Sequence, residues 1–177
     1  MSDTLTAAPP ALEILPYAPE RASDFARINA EWIEEMFSLE DVDREVLNDP
    51  EGKLIEPGGD ILFAALPGDR IVGAGALRPL GQGIFELTKM GVTSEARGHK
   101  AGEALLAALI ARARELGATD LVLLTNSKCE AAIHLYEKLG FVHSPDVKSL
   151  FGSAYCRCDV AMRYGSDSLT PAAKAHA

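Results

Sequence analysis

The chain has 177 residues, 47% hydrophobic and 24% charged, with 17 Lys and Arg against 26 Asp and Glu for a formal charge of -9. That length suits one globular domain with a single core, and the acidic balance repels a nucleic-acid backbone, which sets polynucleotide partners aside. No apolar run reaches the roughly 20 residues of a bilayer span, the start MSDTLTAAPP lacks the basic and apolar regions of a signal peptide, and three cysteines are too few for a disulfide framework. A cytoplasmic protein with no membrane partner is expected.

Residues 1 to 10 and 166 to 177 are rich in Ala, Ser, Thr and Pro without an apolar period, and read as flexible ends around one domain over 11 to 165. ALEILPY (11 to 17) predicts a first strand, and Phe25, Ile28, Trp32 and Met36 then recur at helical spacing. A short helix around Asp41 to Leu47 must end before Pro50, because the residue preceding proline is pushed out of helical geometry. ILFAAL (61 to 66) and RIVGAGALRPL (70 to 80) flank Pro67-Gly68-Asp69, which predicts an antiparallel pair. Gly81-Gln82-Gly83 turns the chain into IFELTKMGV (84 to 92), where alternation puts Glu86, Thr88 and Met90 on one face and Leu87, Lys89 and Gly91 on the other.

A helix with the stripe Ala101, Leu105, Leu109, Ala113 and Leu116 follows and stops at Gly117. LVLLT (121 to 125) has the unbroken apolar character of a strand buried on both faces. Ser127 and Glu130 read as a capping box opening a helix that closes at Gly140, and FVHS (141 to 144) and AYCRCDVAMRY (154 to 164) read as the last strands. Cys156 and Cys158, two apart on one strand face, are poorly placed to bridge and lack the partners of a metal site, so no metal is expected.

The stretch EARGHKAGEALL (95 to 106) carries the first chemical signal. A helix N-terminus leaves backbone N–H groups unpaired and partly positive, so a glycine-bearing loop entering it can bind phosphate oxygens. Arg97, His99 and Lys100 add charge, and Gly98 and Gly102 allow close approach; taken alone, the same residues also fit a tight turn with solvated basic side chains. Together with ELTKM before it and LVLLTNSKCEAAIHLYEKLGF after it, the stretch resembles the GNAT superfamily of acyl-CoA-dependent N-acyltransferases, most closely from Glu86 to His143.

The resemblance implies an α/β (α+β) fold with a mixed, mostly antiparallel sheet of six to seven strands flanked by about four helices. It implies acetyl-CoA as acyl donor, a primary amine of a small molecule or peptide as acceptor, direct attack in a ternary complex, and compatibility with a homodimer. In the family a Q/R-x-x-G-x-G/A segment wraps the CoA diphosphate, which here assigns Arg97, Gly98, His99, Lys100, Ala101 and Gly102 to that contact. Lys100 stands where the middle glycine is usual, and a lysine takes positive φ only at a cost, so a helical conformation is expected there. Met90, Gly91 and Val92 match the strand edge that pairs with pantetheine, with Gly91 suited to a bulge. The family's asparagine position is Cys129 here, and Asn126 and Ser127 would supply those contacts from a shifted place.

For catalysis the resemblance points to Glu86 as general base, directly or through water, and to Tyr136 of LYEKLGF as general acid toward the CoA sulfur. Glu86 needs burial to raise its pKa toward neutrality. Cys129 lacks the cysteine–histidine arrangement of an acyl-cysteine route, and His134 belongs to a solvated helix face. Glu31, Glu34, Glu35, Glu40, Asp41 and Asp43 gather on the early helices, where a negative field would draw a cationic amine, although such charge runs usually mark only a solvated acidic face. A non-catalytic acyl-CoA sensor, or a structural protein without affinity for CoA, are the competing classes.

Overall fold

A computed structural model describes residues 11–96, 100–151, 157–165 and 169, with the backbone alone for 150–151. Seven strands form one sheet in the order β1-β2-β3-β4-β5-β7-β6. They are β1 (Glu13–Pro16), β2 (Asp60–Leu66), β3 (Arg70–Gly81), β4 (Ile84–Val92), β5 (Asp120–Thr125), β6 (Phe141–His143) and β7 (Val160–Tyr164). Every pairing is antiparallel except β4 with β5, as a strand–helix–strand crossover through the helix between them requires. The mixed, mostly antiparallel α/β sheet expected from the resemblance is what the chain forms.

Two apolar layers cover the sheet. On one face α3 (Ala101–Glu115) packs on β2, β3 and β4 and α4 (Glu130–Leu139) on β6 and α3, with Leu105, Leu106 and Leu109 fully buried in one cluster with Leu77, Leu87 and Leu121. On the other, α1 (Ala22–Met36) and α2 (Asp41–Asn48) press Phe25, Ile28, Val46 and Leu47 onto Ile61, Phe63 and Ala74. Each fully buried Leu or Phe contributes about 2 kcal/mol of transfer free energy, so the stripes read from spacing are the fold's main adhesive.

Outside the site, the elements depart from the sequence reading in four places. Met36 is 40% exposed and Ile33 takes its place in the core. Ser127 does not cap α4: Cys129 is its N-cap residue, and the Ser127 N–H and hydroxyl donate to Asp159 at 2.8 and 3.0 Å. A fifth helix, α5 (Pro145–Phe151), lies between β6 and β7. Finally, β7 begins only at Val160, so Cys158 precedes the strand; Tyr155 and Cys156 lie outside the described residues.

Candidate active site

The β4–β5 ladder runs from Ile84↔Asp120 to Leu87↔Leu123 and stops, although β4 continues to Val92 and β5 to Thr125. Beyond Leu87 the edge of β4 therefore has no ladder partner on its β5 side. A cavity of about 60 Å³ opens there, lined among others by Leu87, Met90, Leu123, Thr125, Asn126 and Tyr136. A second space of about 240 Å³ shares Trp32, Met90, Thr125, Cys129 and Tyr136 with it and extends past Gly91 to the start of α4. Of the residues assigned from the sequence, Met90, Gly91, Asn126 and Tyr136 thus come together.

A β-bulge overturns the expected alternation of β4. Thr88 pairs with Ala76 and Gly91 with Ala74, so Lys89 and Met90 together oppose Gly75, and Lys89 sits at φ 51. One extra residue resets the period of two: Met90 joins Leu87 on the α3 face instead of sharing the face of Glu86 and Thr88. The bulge falls at Lys89, not at Gly91. Gly91 serves a different purpose, since a Cβ there would overlap the Trp32 indole, which is held by a 2.9 Å hydrogen bond from its Nε1 to the buried Asn29 side chain. Gly91→Ala is accordingly expected to cost about 1 to 3 kcal/mol by overpacking, measured by urea unfolding, with a shifted emission from Trp32, the chain's one tryptophan.

Tyr136 projects from α4 with 8% of its surface exposed and its ring 5.7 Å from that of Phe141. Burial raises its pKa well above the usual phenol range, and the nearby Cys129 adds to the effect, so the hydroxyl stays protonated. Glu86 is 2% exposed on the α1–α2 face of β4. Burial raises its pKa, while the charges of Arg78 and Lys89 oppose the rise. Arg78 Nη2 stands 3.0 Å from Glu86 Oε1, an ion pair that works against the rise. Glu86 does not line the cavity; Lys89 and Cys158, which interact with it electrostatically, do. Burial lifts the Cys158 thiol to about 11, with Arg157 opposing, so it rests unionised.

A buried charge network missed from the sequence floors the cavity. Asp43, 0% exposed, receives Lys89 Nζ at 2.7 Å and the Arg157 guanidinium at 2.6 and 2.8 Å; Arg157 also reaches Glu40 at 2.9 Å. Burial alone would raise the Asp43 carboxyl, but the hydrogen bonds from Arg157 and Lys89 outweigh it and hold the pKa at about 2. Two of the six acids assigned to an acceptor-attracting field, Glu40 and Asp43, are therefore spent on internal cations. Glu31, Glu34 and Glu35 instead line a separate groove of about 570 Å³ with Trp32, Thr93 and Ser94, and Asp41 pairs with Arg44 at 2.8 Å. The signal for the network was weak but present: Lys89 and Arg157 each interrupt an apolar run, where an unpaired charge is rarely tolerated.

The predicted phosphate loop is described only from Lys100 onward; Arg97, Gly98 and His99 lie outside the described residues. Lys100 is the N-cap of α3 with φ 55 and ψ 28, so the left-handed backbone is adopted and the expected helical conformation is not. Left-handed strain of about 1 to 2 kcal/mol exceeds the roughly 0.5 to 1 kcal/mol entropic cost of glycine. Lys100→Gly should therefore stabilise the fold slightly, by about 1 kcal/mol at most, read as a raised Tm. Ala101 is buried and Gly102 opens the first turn of α3. Asn126 donates to the Arg157 carbonyl at 2.6 Å and accepts from Lys128 N–H, so its amide pins the β5–α4 turn to the segment leading into β7. His134 is exposed, and His143, 57% exposed, faces Glu137 at 3.3 Å, away from the cavity.

Among the described residues no cluster of His, Cys, Asp and Glu could hold a metal ion, and no helix is long and apolar enough to cross a membrane. Residues 24–141 match the acetyltransferase (GNAT) family. An uncharacterized N-acetyltransferase of Schizosaccharomyces pombe is 31% identical over 127 residues, 70% of this chain and 77% of that protein. Among solved structures, a GNAT-family acetyltransferase from Staphylococcus aureus superposes with a TM-score of 0.78 at 22% identity, covering 87% of this chain and 98% of the other. A phosphinothricin acetyltransferase from Sinorhizobium meliloti, solved in complex with acetyl-CoA, gives 0.64 at 17% identity, covering 75% and 76%. With a family match spanning most of the chain and a sheet that opens between β4 and β5 beside a helix-borne tyrosine, the chain belongs to the GNAT family and is an N-acetyltransferase.

Proposed function

We propose that the chain transfers the acetyl group of acetyl-CoA to a primary amine of a small molecule or peptide by direct attack in a ternary complex. The observation that carries this reading is the end of the β4–β5 ladder at Leu87↔Leu123 together with Tyr136 lining the space beyond it. Pantetheine amides would pair with the free edge at Met90, Gly91 and Val92, and the diphosphate would rest on the N–H groups of residues 97 to 102 at the start of α3. Asn126, at the β5–α4 turn, lines the same opening, whereas Ser127 beside it is bonded to Asp159.

The amine nitrogen attacks the thioester carbonyl carbon and the C–S bond breaks. The departing sulfur takes the Tyr136 proton, and the proton lost by nitrogen passes through water toward Glu86. Glu86 suits that task because burial raises its pKa in spite of the Arg78 guanidinium beside it. The test is thiol release from acetyl-CoA over a panel of primary amines. Amine-dependent release supports the reading; acetyl-CoA binding without release on every amine would mean a sensor.

A further inference from the structure

Lys89 occupies a left-handed conformation inside a strand, which a lysine adopts only where its surroundings hold it. Its ammonium is buried to 2% of its surface and reaches Asp43 on α2, 46 residues away, while Arg157, 114 residues beyond Asp43, grips both oxygens of the same carboxylate. Asp43 Oδ2 also accepts the Glu40 N–H at 2.9 Å, so both oxygens are engaged. Well-packed apolar side chains usually serve stability as well as or better than a buried ion pair, so stability alone does not explain burying these charges at a strained residue. What the arrangement fixes is geometry, at the point where β4 leaves β5 and the next residues, Met90 and Gly91, line the space shared with Tyr136.

We propose that Asp43 is a positioning residue for acetyl transfer: by clamping Lys89 it holds the β4 bulge that aims the free strand edge at Met90 and Gly91 toward the thioester beside Tyr136. The inference rests on the reading above for what the cavity does. The clamp itself is a statement about the shape of β4. Bulges next to active sites commonly re-aim backbone groups, and here the aiming is imposed from another layer of the fold.

The test compares Asp43→Asn, Lys89→Gly and the double variant in the full chain. Misplacement of reacting groups by about 1 Å costs on the order of 100-fold in rate, so Asp43→Asn should lower kcat by about that factor while KM for acetyl-CoA moves little. Trp32, which stacks on Gly91 two residues past the bulge, should shift its emission with the far-UV circular dichroism unchanged. Glycine takes φ 51 without a clamp. Adding Lys89→Gly to Asp43→Asn should therefore recover about tenfold of the lost kcat and return the Trp32 emission toward that of the wild type. A purely structural role would lower Tm without that recovery.

The proposal is overturned if Asp43→Asn leaves both kcat and emission unchanged, or if the double variant is as impaired as Asp43→Asn in both. Should Asp43→Asn fail to fold, the apolar pair Asp43→Leu with Lys89→Met severs the same contact, and the same two readouts decide. Absence of amine-dependent thiol release by the wild type would sink the acetyl-transfer reading alone, because the Trp32 emission still reports on the clamp.

Discussion

Tyr136→Phe should lower kcat by about 100-fold or more while leaving the affinity for acetyl-CoA within a factor of about two. The substitution removes one oxygen from a ring packed against Phe141, so the fold and the shape of the cavity persist and only the proton donor is lost. The raised pKa of the phenol does not disqualify it. The same desolvation that disfavours phenolate also disfavours thiolate, so the two groups rise together and the proton remains close to matched between them. The measurement is a steady-state comparison of wild type and variant, paired with calorimetric titration of acetyl-CoA. An equal loss of kcat and of affinity would mean that Tyr136 is a wall of the cavity and not its acid.

Glu86→Gln should produce a loss of comparable size, about 100-fold in kcat/KM at neutral pH, and should abolish an acid limb of the pH profile. The sign follows from the direction of the shift. Burial raises the Glu86 pKa against the opposing charges of Arg78 and Lys89, so the carboxyl holds its proton at pH values where an exposed glutamate has lost it. As pH falls through that raised value the base becomes protonated and kcat/KM declines. Glutamine, which does not titrate, removes this dependence. A profile for Glu86→Gln that keeps the wild-type acid limb would assign the limb to another group and leave Glu86 as the partner of Arg78.

The parts of this molecule written in local patterns were legible in its sequence. Gly81-Gln82-Gly83 and Pro67-Gly68-Asp69 fix turns through the backbone freedom of their own residues, and the stripe from Ala101 to Ala113 declares the face of α3. Tyr136, which lines the cavity, stands out in the sequence because LYEKLGF is a contiguous block. A bulge in β4 was legible from Gly91, but its position was not, because Lys89 offers no glycine and no asparagine to betray a left-handed residue. Its ammonium is met by Asp43, 46 residues away on α2, and no local pattern announces that partner. Helix α5 is a different case: Ser144-Pro145-Asp146 is a helix start, with Ser144 bonded to Asp146, but a helix of seven residues carries too little periodicity to stand out.

The acidic residues of the early helices show the same limit from the other side. Composition gathers Glu40 and Asp43 with Glu31, Glu34 and Glu35, whereas packing turns the first two inward onto Arg157 and Lys89 and leaves the other three along a groove. Charge pattern alone does not separate a structural carboxylate from a surface one; the partners that neutralise Asp43 and Glu40 lie 46 to 117 residues away.

The central claim is that the opening between β4 and β5 seats the thioester of acetyl-CoA beside Tyr136. A crystal structure of the chain with CoA tests it most directly. The account predicts the sulfur within hydrogen-bonding reach of the Tyr136 hydroxyl, with pantetheine alongside Met90 to Val92. CoA bound elsewhere, with the β4 edge still bare, would contradict it.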